Sequence, residues 1–296
     1  MTRSASPALI HMRIAPKLRA NLPELQRAID SMVALDPSLS YVMADDEAIV
    51  LGGNDEAQLD DVIKSLGARG IDLHIGAPEA AYRETITRKT SADYTHKRQQ
   101  FGDSQFARVI LEAGPNSRDG GFSFKNHASK ESIPSAYVAG VERGVRSLLH
   151  AGPIMGMPVV DIRVVLLDGA FHETNSSVAT FEIAARAAFK EALALAFPIL
   201  LEPVMNVTVT TPAEAIGHII GNMNTRRGVV TGAEDTPGGT VITAQVPLAN
   251  LFGYGNFLAA ATSGRGRFTQ SYLHYAAVPQ SGDDPGRFPP AVGMRM

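Results

Sequence analysis

The chain changes its hydrophobic period repeatedly, and the changes come in a recognisable order. "LPELQRAIDSMVAL" sets Leu22, Leu25, Ile29, Met32 and Val33 at helical spacing, and "DPS" closes it. Before it, "ALIHMRIA" is a β-rich run stopped by Pro16. After it, "YVMADDEAIVLGG" predicts a hairpin turning on Asp45 and Asp46. "DEAQLDDVIKSLGARG" predicts a second helix, with acidic residues early and Gly70 past its end. "IDLHIG" then closes the segment as a strand. Strand-helix-strand-strand-helix-strand is the split βαβ, ferredoxin-like order.

The same order returns in the last third. "PVMNVTVTTP" is a strand, and "AEAIGHIIGNMNTRRG" a helix with Ile216, Ile219, Ile220 and Met223 on one face and Arg226 and Arg227 in its last turn. "VVTGAED" and "GTVITAQVPL" flank a Pro-Gly-Gly turn. "ANLFGYGNFLAAATSG" is the second helix and "RFTQSYLHYAAVP" the closing strand. The two segments share an order of elements but little sequence.

The middle follows another pattern. A strand-rich stretch over 80–112 is interrupted around 99–107, and a Gly/Ser/Asn-rich loop precedes the helix "IPSAYVAGVERGVRSLLHAG". "PVVDIRVVLLDG" alternates as a strand. A polar turn, "AFHETNSS", then feeds a helix with Val178, Phe181, Ala185, Ala188, Ala192 and Ala196 as its buried stripe. Its alanines allow close approach to a neighbour. The expected fold is α+β: two ferredoxin-like domains, 8–78 and 201–280, flanking a different α+β domain, 79–200. The Pro/Gly-rich tail, 281–296, reads as disordered.

Bulk properties exclude more than they assert. No apolar run reaches the roughly 18 residues of a membrane span, and the N-terminus has no signal-peptide core. There is no cysteine, hence no disulfide or thiolate metal site; the expected location is the cytoplasm. The net charge of −3 announces no nucleic acid globally. It is uneven, however: residues 1–78 carry −4, residues 79–200 carry +1, and the rest is neutral. Any RNA contact must therefore come from local clusters.

Catalytic and metal chemistry find little support. "DTPGG", Asp235 to Gly239, has the D-x-x-G form of a γ-phosphate sensor. The chain contains no G-x-x-x-x-G-K-[ST] loop to cradle a phosphate, so a hairpin turn is the better reading. The eight histidines are scattered, none with another at i+2 to i+4, and no metal site is expected. His218, beside apolar residues of a helix, reads as packed. No catalytic residue is assigned.

Two spots fit RNA better. "SGRGRF" places Arg265 and Arg267 around Gly266, where a bare backbone lets phosphate approach closely. Arg226 and Arg227 either reach phosphate as well or cap their helix. His172 heads a turn of small polar residues, where it could be a core residue, a catalyst, a metal ligand or a point of contact with a partner.

The order and wording of these segments resemble one family. "AAYRETI" resembles the start of domain IV of elongation factor G, and "MGMPVVDIRVVLLDGAFHETNSS" its strand and histidine-bearing tip. "FKEALALAFPILLEPVMNVTVTTP", "IGNMNTRRG" and "VPLANLFGYGNFLAAATSGRGRFTQSYLHY" resemble the passage into domain V and its body. Residues 8–78 resemble domain III more weakly.

The resemblance implies ferredoxin-like domains III and V around a ribosomal-protein-like domain IV. It implies ribosome binding in translocation, with ribosomal RNA and the A-site tRNA–mRNA helix as partners. The RNA-facing residues would be Phe171, His172, Glu173, Thr174, Asn175, Ser176, Ser177, Gln105 and Phe106 at the domain IV tip. In domain V they would be Arg226, Arg227, Arg265, Gly266 and Arg267. GTP and Mg²⁺ belong to the full-length family; this chain carries no motif for either and is not expected to be an enzyme. A separate GTPase-domain polypeptide is a further partner that this reading allows, and a membrane is not.

The departures are specific. The family's other tip loop is glycine-rich, whereas "QQFGDSQFA" keeps Gly102, Gln105 and Phe106 and adds Asp103. Asn175 replaces an aspartate and keeps N-capping ability, and Gln58 replaces a histidine. Two alternatives compete: a divergent ribosome-protection factor, and a degenerate module recruited to bind protein.

Overall fold

A computed structural model describes residues 8–44, 46–100 and 103–279. Asp45, Phe101, Gly102 and the tail expected to be disordered lie outside the described residues. The chain divides into two compact units. One combines residues up to Ala81 with those from Glu202 onward, and the other is Tyr82–Leu201.

The first unit opens with β1 (Ile10–Pro16), α1 (Leu22–Leu35), β2 (Ser40–Met43), β3 (Ile49–Gly53), α2 (Glu56–Ala68) and β4 (Leu73–Ala80). The sheet order is β2-β3-β1-β4, antiparallel at β1–β3 and β1–β4, as a split βαβ requires. Ile10, Met12 and Ile14 alternate into the core, where Leu25, Ile29, Leu59 and Leu66 of the two helices meet them. Each such side chain contributes roughly 1.5–3 kcal/mol of transfer free energy. Asp55 caps α2 by accepting from the Gln58 amide N at 2.8 Å. The Gln58 side chain accepts from the Asn54 N–H at 2.8 Å and donates to Asp36 and Ser38 at 2.7 and 2.6 Å. The Gln58 side-chain amide thus pins α2 to the end of α1.

The second unit contains β5 (Arg83–Ile86), β6 (Thr90–Gln100), β7 (Asp103–Pro115), β8 (Phe122–Asn126), α3 (Ser135–Ser147), β9 (Ile162–Ala170) and α4 (Val178–Leu195). Its main sheet runs β6-β7-β9-β8, with β8 parallel to β9. The expected interruption at 99–107 is corrected here: pairing continues to Gln100 opposite Asp103, so Ser104–Ala107 are strand residues. The two helices lie very close. A Cβ on Gly140 or Gly144 of α3 would sit 2.4 Å from the carbonyl oxygen of Val178 or Glu182, so α3 needs glycine there. The buried stripe of α4 is broader than its sequence suggests, taking in Ala184, Phe189 and Leu193. Glu84 is fully buried, and its carboxylate accepts from the N–H groups of Ile154, Met155 and Met157 at 2.8–3.0 Å. It thereby shapes the turn that precedes β9.

The chain returns to the first unit through β10 (Pro198–Thr211), α5 (Ile216–Thr225), β11 (Val229–Thr236), β12 (Gly239–Pro247), α6 (Tyr254–Thr262) and β13 (Arg267–Ala277). The order β11-β12-β10-β13 repeats that of the first sheet. Thr236 pairs with Gly239, so the Pro-Gly pair between them is a hairpin turn. The Asp235 carboxylate accepts from the Thr240 hydroxyl at 2.7 Å, across the strands. His218 is exposed, with its ring edge-on to Phe257 at 5.2 Å. The apolar residues of both ferredoxin-like halves form one contiguous core, from Leu9 to Leu258.

Candidate nucleic-acid interface

β9 delivers the chain to the turn 171–177, and α4 takes it away. Phe171 is half-buried, its ring 6.0 Å from Tyr137, which stacks on Phe181 at 4.9 Å. Phe171 therefore roots the turn against the core while remaining partly exposed. Tyr137 went unnoticed in the sequence, where "IPSAYVAG" signals only a helix.

His172 stands exposed beyond this root. Its Nδ1 lies 3.3 Å from the Thr174 backbone N and 3.1 Å from Thr174 Oγ1. Both contacts hold the ring through Nδ1. The exposed imidazole can hydrogen-bond a phosphate oxygen, a 2′-OH or a base edge.

The polar run that follows divides its labour. Ser177, not Asn175, caps α4: its Oγ accepts from the Thr180 N–H at 3.1 Å. Asn175 accepts from the Thr174 hydroxyl through its side chain and from the Phe106 N–H, at 2.9 Å, through its carbonyl. Ser176 Oγ donates to the Phe106 carbonyl at 2.6 Å and accepts from the His172 N–H at 2.8 Å. Glu173 and Thr174 are exposed. The two expected tip segments are therefore hydrogen-bonded to each other. Gln105 is held across its own hairpin by His96, Nε2 to Oε1 at 3.1 Å, and Phe106 is half-buried.

The nearby acids are ionised at neutral pH. Asp93 is held below the ordinary carboxylate range by the Arg108 guanidinium, and Asp168 by the Ser132 hydroxyl, the Gly169 N–H and the Arg108 charge. A depressed folded pKa lends support that is complete above the ordinary value near 3.9 and is lost only as pH falls through the folded value. The tip therefore keeps this support throughout the neutral range.

The C-terminal cluster is arranged otherwise. Arg226 donates to Asn222 Oδ1 at 2.7 Å and to the Asn250 and Phe252 carbonyls, and lies 5.2 Å from the Tyr254 ring centre. Arg227, in a left-handed conformation at φ 61°, makes a two-pronged bond to Glu202, whose side chain is only 3% exposed. Both arginines are engaged within the fold, though not with the carbonyls of their own helix that the capping alternative supposes. Gly266 packs close: a Cβ there would lie 2.8 Å from Leu258 and Thr262. Arg265 pairs with exposed Glu214 at 2.7 Å. Arg267 is exposed, and no ion pair holds it among the described residues.

No group of three or more His, Asp or Glu suited to a metal occurs among the described residues. Among the same residues, no helix is long and apolar enough to cross a membrane.

Residues 78–196 match the family model of elongation factor G domain IV, and residues 199–284 match that of the elongation factor G C-terminus. Elongation factor G of Cereibacter sphaeroides is 44% identical over 279 residues, which cover 93% of this chain and 39% of the relative. Elongation factor G of Paracoccus denitrificans is 43% identical over the same shares. A crystal structure of a Thermus thermophilus protein aligns with a TM-score of 0.73 at 31% identity, over 94% of this chain and 42% of that one. The chain thus spans about two fifths of the length of these relatives. It belongs to the elongation factor G family and corresponds to the C-terminal part of its members.

Proposed function

We propose that the chain is a ribosome-binding module acting in tRNA–mRNA translocation, with its RNA-facing tip built from 103–107 and 172–177. It works in the cytoplasm, and the GTPase activity that drives translocation resides outside this sequence, in a preceding segment or in a separate polypeptide. The observation that carries this reading is the tip itself. Two segments joined by hydrogen bonds leave an exposed His172 in a chain whose central part matches domain IV. Arg267, with Arg265 once released from Glu214, supplies the phosphate contacts of the C-terminal half.

The test is direct binding of the purified chain to bacterial ribosomes carrying A-site tRNA. Salt-dependent binding that weakens about fivefold in His172→Ala, the scale of one hydrogen bond or stack, is the expected result. Binding that ignores both salt and His172 defeats the reading.

A further inference from the structure

We propose that Ser176 is the positioning residue that makes the two tip segments a single RNA-facing surface, an inference that rests on the ribosome-binding reading above. The neighbouring serine already caps α4, so Ser176 is not needed for that task. Its hydroxyl has one proton, given to the Phe106 carbonyl of β7 at 2.6 Å. One lone pair accepts the backbone N–H of His172 at 2.8 Å. A single oxygen therefore couples the backbone of the residue that touches RNA to a strand 70 residues away in sequence.

Other bonds surround it. The Phe106 N–H reaches the Asn175 carbonyl at 2.9 Å, the Tyr137 hydroxyl reaches the Ser176 carbonyl at 3.4 Å, and the Ser176 and Asn175 N–H groups reach the His172 carbonyl at 3.1 and 3.3 Å. These fix the chain around Ser176, but none holds the His172 N–H. With Thr174 contacting the ring at Nδ1 and Ser176 holding the backbone N–H, the place of the imidazole is set before RNA arrives. Preorganisation of this kind reduces the ordering cost that binding would otherwise carry.

Alanine at 176 removes both bonds of a half-buried hydroxyl, while Ser177 still caps α4 and the Phe106 N–H still reaches Asn175, so the fold is little affected. The experiment uses the whole 296-residue chain and bacterial ribosomes bearing A-site tRNA as the probe. Ser176→Ala, Ser176→Thr, His172→Ala and the double alanine variant are compared. The expected result has four parts. Amide exchange at His172 accelerates in Ser176→Ala while the melting temperature holds. Ribosome affinity falls about fivefold. Threonine, which keeps the hydroxyl, restores both. Finally, His172→Ala costs little more in the Ser176→Ala background.

If His172→Ala weakens binding and Ser176→Ala does not, or if the two losses add, the positioning role is overturned while ribosome binding stands. If neither substitution changes affinity, ribosome binding through this tip is itself wrong, and the proposal falls with it.

Discussion

The tip of the central unit and the arginine cluster of the C-terminal half are both rich in groups that could meet RNA, yet the fold treats them in opposite ways. At the tip, small hydroxyls and backbone groups do the structural work, and the aromatic nitrogen is left facing solvent. In the cluster, the long cations themselves do that work. Arg226 closes over three neighbours and Arg227 neutralises a buried carboxylate, which leaves Arg267 with no ion pair among the described residues. A side chain's chemistry therefore says less about its function than does the set of partners already holding it.

Substitutions can break or sharpen that contrast. The largest effect is expected from Arg227→Ala, which strands Glu202 as a buried, unpaired charge. A loss of about 3 kcal/mol in urea unfolding is anticipated, recovered in large part by adding Glu202→Gln. Arg226→Ala should follow, at roughly 1–2 kcal/mol for its lost bonds and ring contact. If either variant keeps full stability and instead loses ribosome affinity, the cluster is not the structural device described here.

Arg267→Ala provides the opposite signature. Stability should stay within about 0.5 kcal/mol of the parent, while the slope of log affinity against log salt flattens by about one unit. An unchanged slope would remove Arg267 from the RNA contacts and leave Arg265 as the basic candidate of the C-terminal half.

How much of this could be read in the sequence depended on where each residue's partner lies. The bounds of α1 were legible because its apolar period, Pro23 and the "DPS" stop all sit within the helix or beside it. The Pro-Gly turn at 237–238 was legible for the same reason. The hairpin of β6 and β7 was not: near its end the strands carry "HKRQQ" and "DSQ", polar on successive residues, so no alternation marks a strand. The packing of Phe171 was hidden because its partner, Tyr137, belongs to α3. The bonds of Arg226 and Ser176 were hidden for a further reason. Their partners include backbone carbonyls, which every residue possesses and which leave no trace in the alphabet.

The smallest expected effect concerns Tyr254. It is fully buried, its hydroxyl meets no partner among the described residues, and burial pushes its phenol up to about 12. Tyr254→Phe should leave stability unchanged or slightly raised, since it deletes a desolvated hydroxyl that gains nothing from the fold. A loss above about 1 kcal/mol in denaturant unfolding would reveal a partner for that oxygen, such as an ordered water.

The discontinuity of the first unit sets a timetable for synthesis. Its two halves share one core, but 120 residues, Tyr82–Leu201, are made between them. At about 5–20 residues per second, the N-terminal half waits roughly 6–24 s before synthesis of its partner half begins. During that interval, whatever apolar surface of Leu9 and its neighbours the C-terminal half will cover stays open to other chains. The central unit has all its residues in one stretch and can finish folding first. The nascent protein is thus most vulnerable to aggregation, and most in need of a chaperone, after its middle is already in order.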